Sequence, residues 1–110
     1  MPLNPVITPV DGYGFPLSPG GDLLFPVASG TTTFTTVKAS PGRVGRIVLA
    51  ATNGAAAITV YDNATGASGT VIAVIPATAA AGVYDVQMPA RNGITVSGAA
   101  TNPGITVGYV

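Results

Sequence analysis

The chain of 110 residues contains no cysteine, no histidine and no tryptophan, and its four acidic residues are all aspartates. The lack of cysteine excludes disulfides and thiolate metal sites. General acid–base and nucleophilic catalysis need a base placed beside a reacting group, and the carboxylates on offer are Asp11, Asp22, Asp62 and Asp85. No two of them share a motif. We therefore expect no catalytic residues, no metal site and no cofactor, and we predict that the protein is not an enzyme.

Charged side chains are scarce as well. They make up 7% of the residues, with no net charge, whereas hydrophobic residues make up 47%. A soluble monomer usually carries charge on roughly 25–35% of its surface and a net charge away from zero. No run approaches the roughly 18 apolar residues of a membrane span, and residues 1–10 lack the pattern of a secretory signal. The composition predicts a subunit whose surface is largely covered by neighbouring proteins, with no membrane partner.

Proline is concentrated at the start, where residues 1–30 hold six of the ten prolines. Proline fixes φ and lacks a backbone donor, so this segment is predicted to be neither helix nor central strand but an extended Pro/Gly-rich arm. The arm also carries apolar side chains that disordered segments tend to lack. We predict that these residues help to form an assembly interface with a neighbour: Tyr13, Phe15, Leu23, Leu24 and Phe25.

From residue 31 onward the sequence changes to short β-branched runs separated by turn residues such as Asn53-Gly54. Phe34 is predicted to face inward, and Gly45 indicates a bulge or a close backbone contact. Residues 31–110 are thus predicted to form an all-β domain, a seven-stranded antiparallel β-sandwich or small barrel of jelly-roll-like type. The predicted strands are 31–40, 43–52, 58–61, 70–75, 83–88, 94–97 and 105–110.

The central feature of this domain is a predicted hairpin of residues 58–61 and 70–75. By simple alternation, Val71, Ala73 and Ile75 face one way, and Ile72 and Val74 face the other. Both faces are apolar, so the strand is predicted to be buried on both sides, within the subunit or between subunits. We therefore add Ile72 and Val74 to the predicted assembly interface. An aspartate on either face is expected to be equally damaging.

Three positive charges, Lys38, Arg43 and Arg46, lie within nine residues and raise the possibility of a phosphate-binding site. Three cations are few for nucleic acid, and no aromatic residues alternate with them for base stacking. A solvated strand face, or a contact with an acidic neighbour, explains the cluster better. We predict no nucleic-acid partner.

Two further binding sites are conceivable from the residues. Asp62 and Asn63 could offer oxygen ligands to Ca²⁺, but their spacing matches no ligand pattern and turn formation explains the same residues. Tyr61, Tyr84 and Tyr109 are the aromatic side chains that residues 31–110 could offer to a sugar, and the chain has no tryptophan. A carbohydrate-binding module therefore stays open as an alternative from a different functional class.

Residues 42–110 resemble small structural proteins of tailed bacteriophages. The resemblance lies in the segments GRVGRIVLAATNG, ITVYDNATGASGTVIAVIPA and NGITVSG. It implies a capsid decoration (cement) protein that binds the outer surface of the virion head. It also implies a homotrimer that bridges neighbouring copies of the major capsid protein and so stabilises the shell. Related β-sandwich domains occur in tails, baseplates and head fibres, so a component of that kind is the alternative within the particle.

Overall fold

The computed structural model describes residues 23–110, and every regular element in that range is a β-strand. Short runs of valine, isoleucine and threonine favour strands, and the glycines and prolines between them favour turns. The eight strands are β1 (Leu23–Val27), β2 (Thr35–Lys38), β3 (Gly42–Leu49), β4 (Ile58–Asp62), β5 (Thr70–Ile75), β6 (Gly82–Ala90), β7 (Ile94–Ser97) and β8 (Ile105–Tyr109).

The strands form two four-stranded antiparallel sheets. The first has the order β1-β8-β3-β6 and the second the order β2-β7-β4-β5. This architecture confirms the predicted all-β antiparallel sandwich. Each sheet is open, so β1 and β6 are the free edges of the first sheet, and β2 and β5 are those of the second.

Seven strands were predicted, and the additional one is β1, which comes from the segment that was predicted to be part of the arm. It pairs with β8 from Leu23 opposite Tyr109 to Val27 opposite Ile105. Proline has no backbone N–H to donate to a neighbouring strand, so within sheets it is largely confined to edge strands. Pro26 is compatible with β1 because β1 lies at an edge of its sheet. Residues 23–27 therefore belong to the sandwich, although they were predicted to belong to the arm. The rest of the predicted arm, residues 1–22, lies outside the described residues.

The core lies between the sheets and is built from aliphatic side chains of β3, β4, β7 and β8, with contributions from β2, β5 and β6. Val44, Ile47 and Leu49 of β3 are buried. Gly45 lies at a register shift between β3 and both of its neighbours, which confirms the predicted bulge. Phe34 was predicted to face inward, but 48% of its surface is exposed, because β2 begins only at Thr35.

The hairpin of β4 and β5 is confirmed, but it contains a β-bulge that the alternating pattern did not predict. Val60 lies opposite Ala73, whereas Tyr61 lies opposite Val71. Ile72 is the additional residue on β5 and has no partner on β4. A bulge of this kind bends the strand and changes which side chains share a face.

As a consequence, the faces of β5 differ from the prediction. Ile72 and Ala73 both pack against the core, and Ile75 is fully buried. Val71 and Val74 are 48% and 52% exposed. The prediction that Ile72 and Val74 share a face was therefore wrong, and the subunit itself does not bury both sides of β5.

The new position of β1 leads to a test with two truncations. A variant that begins at Leu23 loses none of the described contacts, whereas one that begins at Thr31 loses β1 together with Phe25 and Val27, which pack against the core. Burial of one such side chain contributes about 1.5–3 kcal/mol. We expect the shorter variant to be less stable than the longer one by at least about 2 kcal/mol in urea unfolding. Equal stability of the two variants would contradict the assignment of β1 to the sandwich.

Candidate assembly interface

The part of the chain that the structure describes holds no group of three acidic, histidine or cysteine side chains that could bind a metal ion. Asp62, at the end of β4, binds backbone instead. Its Oδ1 accepts the backbone N–H groups of Asn92 at 2.7 Å and Gly93 at 3.3 Å. The hydrogen bond from Asn92 is the main cause that holds the pKa of Asp62 below its usual value. Asp62 thus ties the β6–β7 turn to β4.

Asn63 has an equivalent role within its own loop. Its Oδ1 accepts the backbone N–H groups of Thr65 at 2.8 Å and Gly66 at 3.0 Å, and its amide donates to the Ser68 carbonyl at 3.1 Å. Side chains of Asn and Asp commonly organise turns in this way. The structure therefore assigns turn formation to the two residues that could have offered ligands to Ca²⁺.

The three cations of the basic cluster do not converge on one site. Lys38 Nζ donates to the backbone carbonyl of Val110 at 3.1 Å. Arg43 contacts a glutamine side chain of β6. Arg46 Nε lies 3.4 Å from Asp85 Oδ1 on the exposed surface. Each cation therefore has a local partner, and Lys38 on β2 belongs to a different sheet from Arg43 and Arg46 on β3.

The three tyrosines do not form a platform either. Tyr84 and Tyr109 lie on the first sheet and pack against the core. The Tyr84 hydroxyl donates to the Ala80 carbonyl at 2.5 Å. Tyr61 lies on β4 of the second sheet. With two rings turned toward the core and the third on the other sheet, no surface carries the three rings side by side.

A buried pair of amides, Asn53 and Asn102, joins the loops at one end of the sandwich. Asn102 Nδ2 donates to Asn53 Oδ1 at 2.8 Å and to the Ala56 carbonyl at 2.7 Å. Asn53 Nδ2 donates to the Pro76 carbonyl at 2.8 Å. These bonds connect the β3–β4, β5–β6 and β7–β8 loops. The sequence suggested only a turn at Asn53-Gly54, because nothing local indicates a partner 49 residues away.

The outer face of the first sheet carries an apolar patch. Cross-strand neighbours share a face, and Val48 lies opposite both Val83 on β6 and Thr106 on β8. Val48 and Val83 are 41% and 62% exposed. Leu24 on β1, which is 74% exposed, lies on the same face in the neighbouring row, together with Gly108 and Arg46. We call Leu24, Val48 and Val83 the outer-face patch. On a solvated sheet, polar residues would be expected at these positions.

A second apolar surface lies along the free edge of β5. Val71 and Val74 are its exposed apolar side chains, and we call these two residues the β5 edge. A cleft of about 260 Å³ opens between β5 and β6. It is lined mostly by apolar side chains, among them Ile72, Val74, Tyr84, Val86 and Met88. The two sheets therefore leave part of their shared interior uncovered on this side.

No family model, curated protein or solved structure matches this chain. Residues 23–110 contain no helix with the length and hydropathy that crossing a membrane requires.

The predicted interface residues fall into three groups. Leu23, Leu24 and Val74 are exposed and accessible to a partner. Phe25 and Ile72 pack against the core of their own subunit, so most of their contacts are internal. The remaining two lie outside the described residues: Tyr13 and Phe15. Val48 and Val83 were not predicted as interface residues. Each lies two positions from a charged residue, Arg46 or Asp85, and residues two apart in a strand share a face, so the sequence contained this signal.

Proposed function

We propose that this chain is a structural subunit of a tailed-bacteriophage particle, a capsid decoration protein that binds the outside of the head. In that role it bridges copies of the major capsid protein and so stabilises the shell. Its partners are then the capsid lattice and further copies of itself. The proposal requires no catalytic group, cofactor or nucleic acid.

The observation that carries the proposal is the outer-face patch. Leu24, Val48 and Val83 are exposed side chains on one four-stranded sheet, in a protein with only 7% charged residues. Val48 and Val83 lie directly opposite each other, and contiguous exposed apolar surface usually marks an interaction site. The resemblance of residues 42–110 to phage structural proteins supports a capsid as the partner.

The geometry of the patch suits a broad protein surface better than a small molecule. Val48 and Val83 belong to adjacent strands and face outward on a sheet, whereas ligand sites are usually concave. The ion pair between Arg46 and Asp85 lies on the same face. An apolar centre beside charged groups is the usual anatomy of a protein–protein interface.

The direct test is to locate and count the protein on purified particles of the phage that encodes it. Electron cryomicroscopy together with quantitative mass spectrometry should find it on the head surface at hundreds of copies per particle. A few copies, or some tens, on the tail or baseplate would overturn the decoration role in favour of a tail component. Binding of the isolated protein to glycans, without attachment to heads, would favour a carbohydrate-binding module.

A matched pair of variants tests the patch itself. Val83→Lys places a charge in the outer-face patch, and Ala67→Lys places the same charge on the exposed β4–β5 loop. Both should keep the melting temperature of the original protein, because both positions are exposed. We expect Val83→Lys to weaken binding to undecorated heads at least tenfold and Ala67→Lys to leave it unchanged. Equal binding of the two variants would show that another surface attaches the protein.

A further inference from the structure

We propose that β5 pairs with β5 of a second copy of this chain across a two-fold axis, so that Val71 of one copy lies opposite Val74 of the partner subunit. The inference deepens the proposed function, since it names the partner at one surface of the subunit and rests on the assembling role proposed above. It concerns the β5 edge and not the outer-face patch. The two surfaces can therefore be tested separately.

The four free edges of the sandwich differ in how well they are protected against pairing. Natural sheets protect their edges with proline, charged residues or very short strands. Pro26 lies in β1, Lys38 ends the four-residue β2, and Asp85 and Pro89 lie in β6. In contrast, β5 has the sequence TVIAVI, with no charge and no proline. Among the described strands, β5 is thus the edge whose composition best suits pairing with another strand.

The bulge determines which strand can pair there. In a regular strand, outward-facing side chains recur every second residue. In β5 the two exposed valines, Val71 and Val74, are three positions apart, because the additional residue Ile72 packs inward together with Ala73. A partner strand with regular spacing would meet one of the two valines and miss the other. The bulge therefore protects the edge against ordinary strands.

A second copy of β5 has the same spacing. In antiparallel pairing across a two-fold axis between Ile72 and Ala73, Val71 meets Val74 of the partner subunit, and Val74 meets Val71 of the partner subunit. Both exposed valines are then covered in each copy, and the bulges lie opposite each other. Such an isologous contact uses the same patch on both subunits. The second sheet of one copy and the second sheet of the partner subunit then join into one sheet of eight strands.

A two-fold contact of this kind yields dimers. It does not produce the trimer that the phage resemblance implies, and in an assembly of trimers it would join one trimer to the next. The cleft between β5 and β6 lies beside this contact, since Val74 belongs to both. Pairing would therefore also place the partner subunit at the mouth of the cleft.

The chain has no cysteine, so single cysteines introduced at the β5 edge provide a clean test in the full-length protein. Facing residues of antiparallel strands have Cα atoms about 4.5–5.5 Å apart, which fits a disulfide. In the proposed register, two copies of position 71 are about 10 Å apart, three residues at about 3.4 Å each. We expect a mixture of Val71→Cys protein and ¹⁵N-labelled Val74→Cys protein, which the label makes distinguishable by mass, to form the mixed disulfide at least tenfold more than either homodimer.

The control is a mixture of the Val74→Cys and Val48→Cys proteins. Val48 is similarly exposed but lies on the other sheet, so this mixture should form no mixed disulfide above background. Sedimentation of the original protein should show a dimer at micromolar concentration, and Val71→Lys should raise the dissociation constant at least tenfold. A monomer, a trimer without the mixed disulfide, or equal formation of all three disulfides would overturn the proposal. Head binding by the outer-face patch would be unaffected by that failure, because it is measured with Val83→Lys on particles.

Discussion

Replacing Asn53 with alanine is expected to lower the free energy of unfolding by about 2–4 kcal/mol, one of the largest effects available without changing an apolar core residue. The side chain donates to the Pro76 carbonyl at 2.8 Å and to the Ala56 carbonyl at 3.1 Å, and it accepts from Asn102. A buried polar group left without a partner costs about 1–3 kcal/mol. The substitution removes the hydrogen-bond partner of the Pro76 carbonyl and of the Asn102 amide, both of which are buried or partly buried.

The same side chain also holds its own turn, since its Oδ1 accepts the Gly54 backbone N–H at 2.9 Å. Asn53→Asp keeps the shape and this acceptor but cannot donate, so it should be destabilising as well. Urea unfolding of both variants measures the loss, with Asn92→Ala as the control. Asn92 is exposed, and Asp62 binds it through its backbone N–H, which alanine retains. If Asn53→Ala were as stable as Asn92→Ala, the buried amide pair would have no role in holding the loops together.

The strands themselves could be predicted from the sequence because local patterns determine them. Strands β5 and β7 have the residues that were predicted, 70–75 and 94–97. Both are runs of β-branched residues bounded by glycine, asparagine or proline, and such residues end strands for steric reasons. The bulge at Gly45 was predictable on the same ground, since glycine within a strand often marks one.

Contacts between distant segments could not be predicted in this way. β1 contains Pro26, which excludes a central strand but not an edge strand, and only its pairing with β8 decides between edge strand and arm. The link between Asn53 and Asn102 likewise joins two loops far apart in sequence. In both cases the contact forms only when the fold brings two distant segments together, and the local sequence contains no signal for it.

The faces of β5 show the same limit within a single strand. Alternation predicts that neighbouring residues face opposite ways, and one additional residue reverses the pattern beyond it. The bulge at Ile72 has no glycine or other local signal, and it is visible only in the register with β4. The predicted interface therefore contained Val74, which is exposed, but also Ile72, which faces the core, and it lacked Val71.

Because Ile75 faces the core and Val74 faces outward on β5, an aspartate at these two neighbouring positions is expected to affect stability very differently. Ile75→Asp should leave the subunit largely unfolded, whereas Val74→Asp should change the free energy of unfolding by less than about 1 kcal/mol. Ile75 is 2% exposed and Val74 is 52% exposed. Removal of a buried isoleucine side chain alone costs about 2–5 kcal/mol, and an unpaired buried carboxylate adds further cost. Their sum approaches the roughly 5–15 kcal/mol that stabilises a typical domain.

Circular dichroism and urea unfolding of the two variants check this expectation. The measurements should be made at concentrations low enough for the protein to be monomeric, because a lost dimer lowers the apparent stability by mass action. Val71→Asp serves as the matched control, since it lies on the same strand and is 48% exposed; it should behave like Val74→Asp. If Val74→Asp and Val71→Asp unfolded the monomer as Ile75→Asp does, β5 would be buried on both sides within the subunit. The bulge at Ile72 would then not orient the strand as described, and the β5 edge would offer no surface to a second copy.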